Sequence, residues 1–312
     1  MKVLVTGALG HIGSALVPEL CKDGTEVVMI DNLLTQRYAS RFNLSHRHQF
    51  YDLDISDAEN KPFLEKVLKT VDTVVHLAAR TDAAGSANDP IEVERNNFQS
   101  TKILCELCAQ TDKPITHLSS TSVYGTQNET VDENCGYEQL QPQSPYAHSK
   151  LKEEKLIAKL SQHGLRSNVL RFGTIYGYSV GMRFHTAVNK FAWQAAHSEE
   201  ITVWRTALHQ VRPYLYLGDA VKTLQMLIKS NIYTNDVTNI LTDNLTVNHI
   251  IEELKKYYPN LAIQFVDSPI MNQLSYDVCN QKSKELGVEY TGNIQIGIKE
   301  IVNVFQNLKN EF

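Results

Sequence analysis

The segment Val5-Thr6-Gly7-Ala8-Leu9-Gly10-His11-Ile12-Gly13 constrains this chain more than any other. It follows a short apolar run, Lys2-Val3-Leu4-Val5, and leads into a helix-like stretch from Ser14 to Cys21. Glycines between a strand and a helix let the backbone approach a pyrophosphate. The helix N-terminus then turns free N–H groups and a positive dipole end toward that anion. A tight strand-to-helix turn also uses glycine, so the triplet does not decide alone. A second apolar run, Glu26-Val27-Val28-Met29-Ile30, ends in Asp31. An acid about 20 residues past the glycines suits an adenosine ribose with a free 2′-hydroxyl. Position, flanks and Asp31 together predict an NAD site at the start of the chain. The spacing is G-x-x-G-x-x-G rather than G-x-G-x-x-G, which marks a branch of the dinucleotide-binding folds.

The first half alternates β-rich runs with helical patterns. Strands are predicted at Lys2 to Val5, Glu26 to Ile30, His48 to Tyr51, Thr73 to Leu77, Ile115 to Ser119 and Asn168 to Phe172. Helices are predicted at His11 to Lys22, Asp57 to Lys69, Glu92 to Gln110 and Tyr146 to His163. Such alternation implies an α/β fold, a Rossmann-type doubly wound parallel sheet. After Arg171 the rhythm breaks. Further helices fit Thr186 to His197, Asp219 to Lys229, Val247 to Tyr257 and Ile296 to Leu308; strands fit Ile201 to Trp204, Pro213 to Leu217, Val237 to Leu241 and a short run near Ile263. The expected organisation is an NAD-binding domain over residues 1–173, with a returning segment 213–242. Residues 174–212 and 243–312 form a smaller C-terminal mixed α/β substrate lobe.

The chain has 312 residues, enough for a large core. Thirty Lys+Arg against 35 Asp+Glu give a net charge of −5, with no block of like charge, which argues against nucleic acid. No apolar run approaches the roughly 18 residues that span a bilayer. A first strand at Lys2 leaves no room for a signal peptide, so a cytoplasmic protein is expected. The five cysteines are scattered and odd in number, which is no disulfide framework. Cys105-Glu106-Leu107-Cys108 is a C-x-x-C, but it lies inside a helical pattern without a second ligand pair. Two thiols facing a core fit it better than a metal, and no metal site is expected.

Tyr146-Ala147-His148-Ser149-Lys150 carries the second strong signal. On a helix, residues four apart share a face. A phenol with a pKa near 10 is a poor base at neutral pH. A nearby ammonium, with an oxidised nicotinamide, favours the phenolate, and the pair becomes a general base for an alcohol. Tyr and Lys also share helix surfaces without function; the preceding fingerprint and strands favour the chemical reading. Upstream, Leu118-Ser119-Ser120-Thr121-Ser122-Val123-Tyr124-Gly125 ends a strand. Ligands of open parallel sheets bind at the carboxyl ends of strands, where such hydroxyls can hydrogen-bond a reacting oxygen.

Taken together, Gly7-x-x-Gly10-x-x-Gly13, Ile30-Asp31-Asn32-Leu33, Asn96-Asn97, Ser119 to Gly125, Ser144-Pro145-Tyr146-x-x-Ser149-Lys150 and Leu170-Arg171-Phe172 resemble the extended short-chain dehydrogenase/reductases. Within these the chain is most similar to nucleotide-sugar epimerases of the UDP-galactose 4-epimerase type. The resemblance covers most of the chain and is strong through Arg171. It implies that Gly7, Gly10, His11, Ile12 and Gly13 line the pyrophosphate, and that Asp31, Asn32 and Leu33 hold the adenosine ribose. Asp54 and Ile55 would flank the adenine. Leu77, Ala78, Ala79 and Phe172 would lie along the cofactor, and Asn97 would support the active-site water and backbone network. Ser120, Tyr146 and Lys150 would be catalytic, Lys150 also holding the nicotinamide ribose.

The same resemblance sorts the reaction. Related 4,6-dehydratases place Asp-Glu after the catalytic Thr, and UDP-glucuronate decarboxylases place a Glu two residues after theirs. Here Thr121 and Ser122 stand there, which tilts the expectation toward oxidation and re-reduction at one carbon. Arg212 would grip the diphosphate, although Pro213 departs from the R-D-[FY]-[IV]-H pattern; a guanidinium suits phosphate. Asn189 and Trp204 would contact substrate, Trp204 alternatively serving as a core aromatic. Thr174 stands where epimerases commonly carry Asn. Ser275 falls near the gate beside the sugar C2 group. Arg183 and His185 either reach the sugar or lie on the surface. The expected activity is C4 epimerisation of a nucleotide-diphosphate sugar, a UDP-hexose or UDP-N-acetylhexosamine. A dehydrogenase with exchangeable NAD(H) and a non-catalytic NAD sensor are the alternatives. Homodimerisation through the helices near Glu92 to Gln110 and Tyr146 to His163 is also implied.

Overall fold

Seven short strands, mostly apolar and buried except at the Gln49–Asp52 edge, set the architecture. The computed structural model describes residues 1–42, 44, 48–82, 85–127, 129–267 and 275–309. In chain order, β1 (Lys2–Thr6), β2 (Glu26–Asp31), β3 (Gln49–Asp52), β4 (Thr73–His76), β5 (Ile115–Ser120) and β6 (Ser167–Phe172) alternate with helices α1 (Gly13–Lys22), α2 (Lys61–Leu68), α3 (Pro90–Val93), α4 (Ser100–Gln110) and α5 (Pro145–Ser161). There follow β7 (Thr174–Tyr176), α6 (Ala187–Ala196), β8 (Ile201–Trp204), β9 (Val211–Tyr216), α7 (Leu217–Ser230), β10 (Val237–Ile240), β11 (Asp243–Thr246), α8 (Val247–Lys255), β12 (Ile263–Val266), α9 (Gln281–Glu285) and α10 (Ile294–Lys309).

The large sheet has the order β10-β6-β5-β4-β1-β2-β3, and each of its pairs is parallel. This is the doubly wound Rossmann-type topology, with the order reversing between β1 and β4. Val74 and Val75 of β4 and Val3, Leu4 and Val5 of β1 are fully buried, as strands covered by helices on both faces require. One face packs on Leu16, Val17 and Leu20 of α1 with Leu224 and Leu227 of α7; the other packs on Leu64 and Leu68 of α2 with Ile103 and Leu104 of α4.

The helix starts follow local chemistry. Ser144 Oγ accepts from the Ala147 amide at 3.1 Å, and Pro145 occupies the first turn of α5, where its missing N–H costs nothing. Asp89 Oδ1 accepts from the Glu92 amide ahead of α3. The predicted helix Glu92 to Gln110 is not uniform: α3 passes into a π-helical stretch, Glu94–Gln99, before α4. There Asn97 is fully buried and turned toward the loop after β4. Cys105 and Cys108 sit in the core with free thiols, and burial raises both above the ordinary thiol range.

A second core, from Val188, Phe191 and Ala192 of α6 with Ile250, Ile251 and Leu254 of α8 and Ile298, Ile301 and Val302 of α10, sits beside the first. Around it lie a three-stranded sheet, β11-β9-β7, and a two-stranded one, β12-β8. Within residues 213–242, α7 and β10 meet the large sheet, whereas β9 pairs with β7 and β11. The three-residue β7 and four-residue β11 lacked a sequence signal because so few positions show no periodicity. No helix among the described residues is long and apolar enough to cross a membrane.

Candidate active site

The turn from β1 into α1 closes on itself. A Cβ at Gly7 (φ +64°) would lie 2.6 Å from the Ala78 amide nitrogen, and one at Gly13 would lie 2.5 Å from the Gly7 carbonyl oxygen. Both contacts are shorter than any side chain tolerates, so the turn requires glycine there. The Gly7 amide donates to the Ile30 carbonyl at 2.8 Å, which sets the turn against the end of β2.

Asp31 ends β2 beside it. Its Oδ2 accepts from the Leu9 amide and its Oδ1 from the Leu33 amide, both at 3.0 Å. The first links the acid to the glycine turn and the second shapes the next loop, where Leu33 adopts φ +55°. A cleft of about 610 Å³ opens over these residues. Gly7, Gly10, Asp31, Asn32, Asp54, Ile55, Leu77, Ala78 and Ala79 line it, with Asn96 of the Asn96-Asn97 motif and with Arg37 and Leu34, which the sequence did not single out. Desolvation pushes the Asp31 carboxyl up, while the Leu9 and Leu33 amides oppose it.

A second cleft, of about 1350 Å³, adjoins the first through the shared residues Leu77 and Ala79. Ser120 reaches it from the end of β5, Tyr146 and Lys150 from α5, and Phe172, Thr174, Trp204 and Arg212 from the β6–β9 region. Ile12, Arg183, His185, Asp82, Tyr214 and Tyr276 complete the part relevant here. Trp204 is half-buried and lines this cleft rather than filling a core.

Neighbouring hydroxyls divide their tasks. Ser119 Oγ donates to Glu154, and Thr121 Oγ1 donates to the Phe172 carbonyl at 3.3 Å. Ser120 Oγ instead accepts from Ser122, from its amide at 3.2 Å and its hydroxyl at 2.9 Å, and keeps its own proton for a ligand. Behind this row Arg171 Nε and Nη2 donate to the two Glu154 oxygens at 3.0 and 2.7 Å, and the Arg171 guanidinium lies 4.7 Å from the centroid of the Tyr124 ring. This bidentate pair fixes β6 against α5 where Ser120 and Tyr146 face the same space.

Several of the expected site residues also brace the backbone around the clefts. Asn97 Oδ1 accepts from the Arg80 amide at 2.7 Å and its Nδ2 donates to the Arg80 carbonyl at 3.0 Å, so it braces the loop after β4. Asn189 Oδ1 accepts from the Gly177 amide, and its Nδ2 donates to the Arg183 carbonyl. His11 Nε2 donates to the Gly177 carbonyl at 2.9 Å. Burial first, then Arg183, drives the His11 imidazole down to about 3, so it is neutral at pH 7. A Cβ at Gly181 would meet the Leu9 carbonyl at 2.5 Å. The 177–185 loop is thus seated on the glycine turn and carries Arg183 and His185 into the cleft. Ser275 Oγ accepts from the Val211 amide at 3.3 Å and lies beside Tyr276, which does line the cleft.

The charges are uneven. Lys150, which is paired from beneath with Glu153, lines the second cleft with Arg183, Arg212 and one lining carboxylate, Asp82. Burial first, then Arg183, holds His185 down at about 4, so it adds no charge at pH 7. An anion is the matching ligand. No group of His, Cys, Asp and Glu among the described residues could hold a metal ion. The tight glycine turn, the acid held beside it and the adjoining clefts fit NAD.

A doubly wound sheet with such a cleft at the carboxyl ends of its strands defines a dinucleotide-binding protein. Residues 3–240 match the model of the NAD dependent epimerase/dehydratase family, and the chain belongs to that family. A putative UDP-glucose 4-epimerase of Methanocaldococcus jannaschii is 27% identical over 98% of both chains. The UDP-glucose 4-epimerase of Thermotoga maritima, solved with UDP-glucose, superposes with a TM-score of 0.85 at 25% identity, covering 99% of this chain and 100% of that one. The UDP-glucuronic acid 4-epimerase of Bacillus cereus, solved with UDP-glucuronic acid and NAD, gives 0.84 at 27% identity over 99% and 100%. Other relatives are named as dehydratases and decarboxylases.

Proposed function

We propose that the chain is an NAD-dependent epimerase of a nucleotide-activated sugar, inverting C4 of a UDP-hexose or UDP-N-acetylhexosamine through a 4-keto intermediate. The observation that carries this is the meeting of Ser120, Tyr146 and Lys150 in one cationic cleft that adjoins the NAD cleft, while the positions after Ser120 hold hydroxyls. The relatives named as UDP-sugar 4-epimerases support this reading.

Bound NAD supplies the oxidising and re-reducing capacity at C4. The chain's residues do the rest. Tyr146 takes the proton of the 4-hydroxyl as C4 is oxidised and returns it when C4 is reduced. Ser120 donates a hydrogen bond to that oxygen and keeps it within reach of Tyr146. Lys150 supplies the positive charge that favours the phenolate. Arg212 and Arg183 hold the diphosphate or other anionic parts of the substrate, leaving the sugar free to present either face. Thr121 and Ser122 offer no carboxylate for eliminating water or assisting decarboxylation.

The test is incubation of the purified protein, without added cofactor, with UDP-, GDP- and CDP-sugars, followed by proton NMR. Inversion at C4 of one sugar is expected. Net oxidation with stoichiometric consumption of added NAD would show a dehydrogenase instead, and an inert site across the panel would favour a sensor.

A further inference from the structure

Beneath Lys150 lies a charge that the scheme above does not use. Glu153, one turn further along α5, is fully buried. Its Oε2 accepts from Lys150 Nζ at 2.8 Å, and its Oε1 accepts from Ser149 Oγ at 2.8 Å. His117 of β5, also fully buried, places Nε2 3.0 Å from the same Oε2. Behind it the His76 ring lies 5.5 Å from the His117 ring. His76 Nδ1 is 2.7 Å from Thr6 Oγ1 and its Nε2 is 3.1 Å from Thr101 Oγ1. The neighbouring acid, Glu154, is occupied by Arg171 and Ser119.

We propose that Glu153, backed by His117, is a positioning residue for the reaction: it anchors the Lys150 ammonium from below and keeps its charge in place under Tyr146. This deepens the reading of Tyr146 as the base and rests on it.

The physical case is one of burial. A lysine with a side chain 4% exposed sheds its proton readily unless an anion holds it. Burial pushes Lys150 down, and Glu153 first, with Tyr146 and Glu154, reverses this, leaving it above the ordinary lysine value. Burial pushes Glu153 up, yet Lys150 and then His117 bring it to about 2. His117 is lowered, first by burial and then by Lys150, and so stays neutral. The other ionisable groups around the pair are Tyr146 and Glu154 on α5, His76 on β4 and Cys105 on α4. None of these is hydrogen-bonded to Lys150 Nζ.

Glu153→Gln keeps the shape and removes the charge. In NAD-loaded protein carrying [13Cε]lysine, the Lys150 resonance, identified by its loss in Lys150→Met, is expected to titrate above about 10.4 in the wild type. In Glu153→Gln its midpoint should fall by at least about one unit. With the sugar found active in the NMR panel, the alkaline limb of the kcat profile should fall by a similar amount, while KM at pH 7 changes little. Glu153→Asp, which retains the charge, should recover the limb in part. An unmoved Lys150 midpoint, or a moved midpoint with an unmoved alkaline limb, overturns the proposal. If Glu153→Gln does not fold, a wild-type Lys150 midpoint at or below about 10.4 overturns it as well. The lysine titration needs no substrate, so it stands apart from any failure of the epimerase reading.

Discussion

Tyr146→Phe is expected to lower kcat by about 10²–10⁴-fold while the protein still binds NAD, because it removes one oxygen and a positioned acid–base group contributes about that much. Tyr146 lies in the first turn of α5, where Pro145 and the Ser144 cap fix its backbone, and it opens into the cleft shared with Ser120 and Lys150. The ring itself would remain, so the fold and the cofactor cleft should be unaffected. The measurement is steady-state turnover of the active nucleotide sugar, with NAD binding read separately by fluorescence quenching. Turnover within about threefold of wild type would remove Tyr146 from the chemistry, since a group supplying even 10²-fold could not be lost so quietly.

Arg171→Leu is expected to destabilise the protein by about 3–5 kcal/mol. Its side chain is 2% exposed and that of Glu154 is 0% exposed, so the substitution strands a carboxylate that water cannot reach. The Ser119 hydroxyl would remain as a donor to that carboxylate, which is not enough to replace a bidentate guanidinium. Thermal unfolding should shift down by on the order of 10 °C. The double variant Arg171→Leu, Glu154→Leu should recover part of the loss, because no unpaired charge is then left in the core. A single-variant loss under about 1 kcal/mol would mean that the pair contributes no more than an exposed one.

Parts of this account are legible in the sequence because they are local. Gly7 and Gly13 are dictated by a turn in which any Cβ strikes backbone, and Asp31 follows at the distance set by one helix and one strand. Tyr146 and Lys150 share a face by helical geometry alone. Other parts depend on which way a loop turns. Arg37 lies in the adenosine-side cleft only because the loop after β2 folds back over the glycine turn. The backbone that the amides of Asn97 and Asn189 brace, at Arg80, Gly177 and Arg183, is set by the same loop turns.

The choice of Ser120 over Ser119 shows the difference. Pattern alone offers a row of hydroxyls, from which the family resemblance picks Ser120. The third dimension adds Glu154, to which Ser119 Oγ donates, while Ser119 and Ser120 both line the second cleft. Glu153 is the same case at greater depth. An acid three residues after a lysine is usually an exposed surface pair, and only the packing of α5 on β5 buries it against His117.

The decisive measurement uses the sugar found active in the panel, carrying deuterium at C4, incubated with the protein in ordinary water without added cofactor. Retention of deuterium at C4 of the inverted product is expected, since the atom leaves and returns within one closed site. Inversion with loss of deuterium to water, or its appearance in free NADH, would contradict epimerisation by oxidation and re-reduction at that carbon.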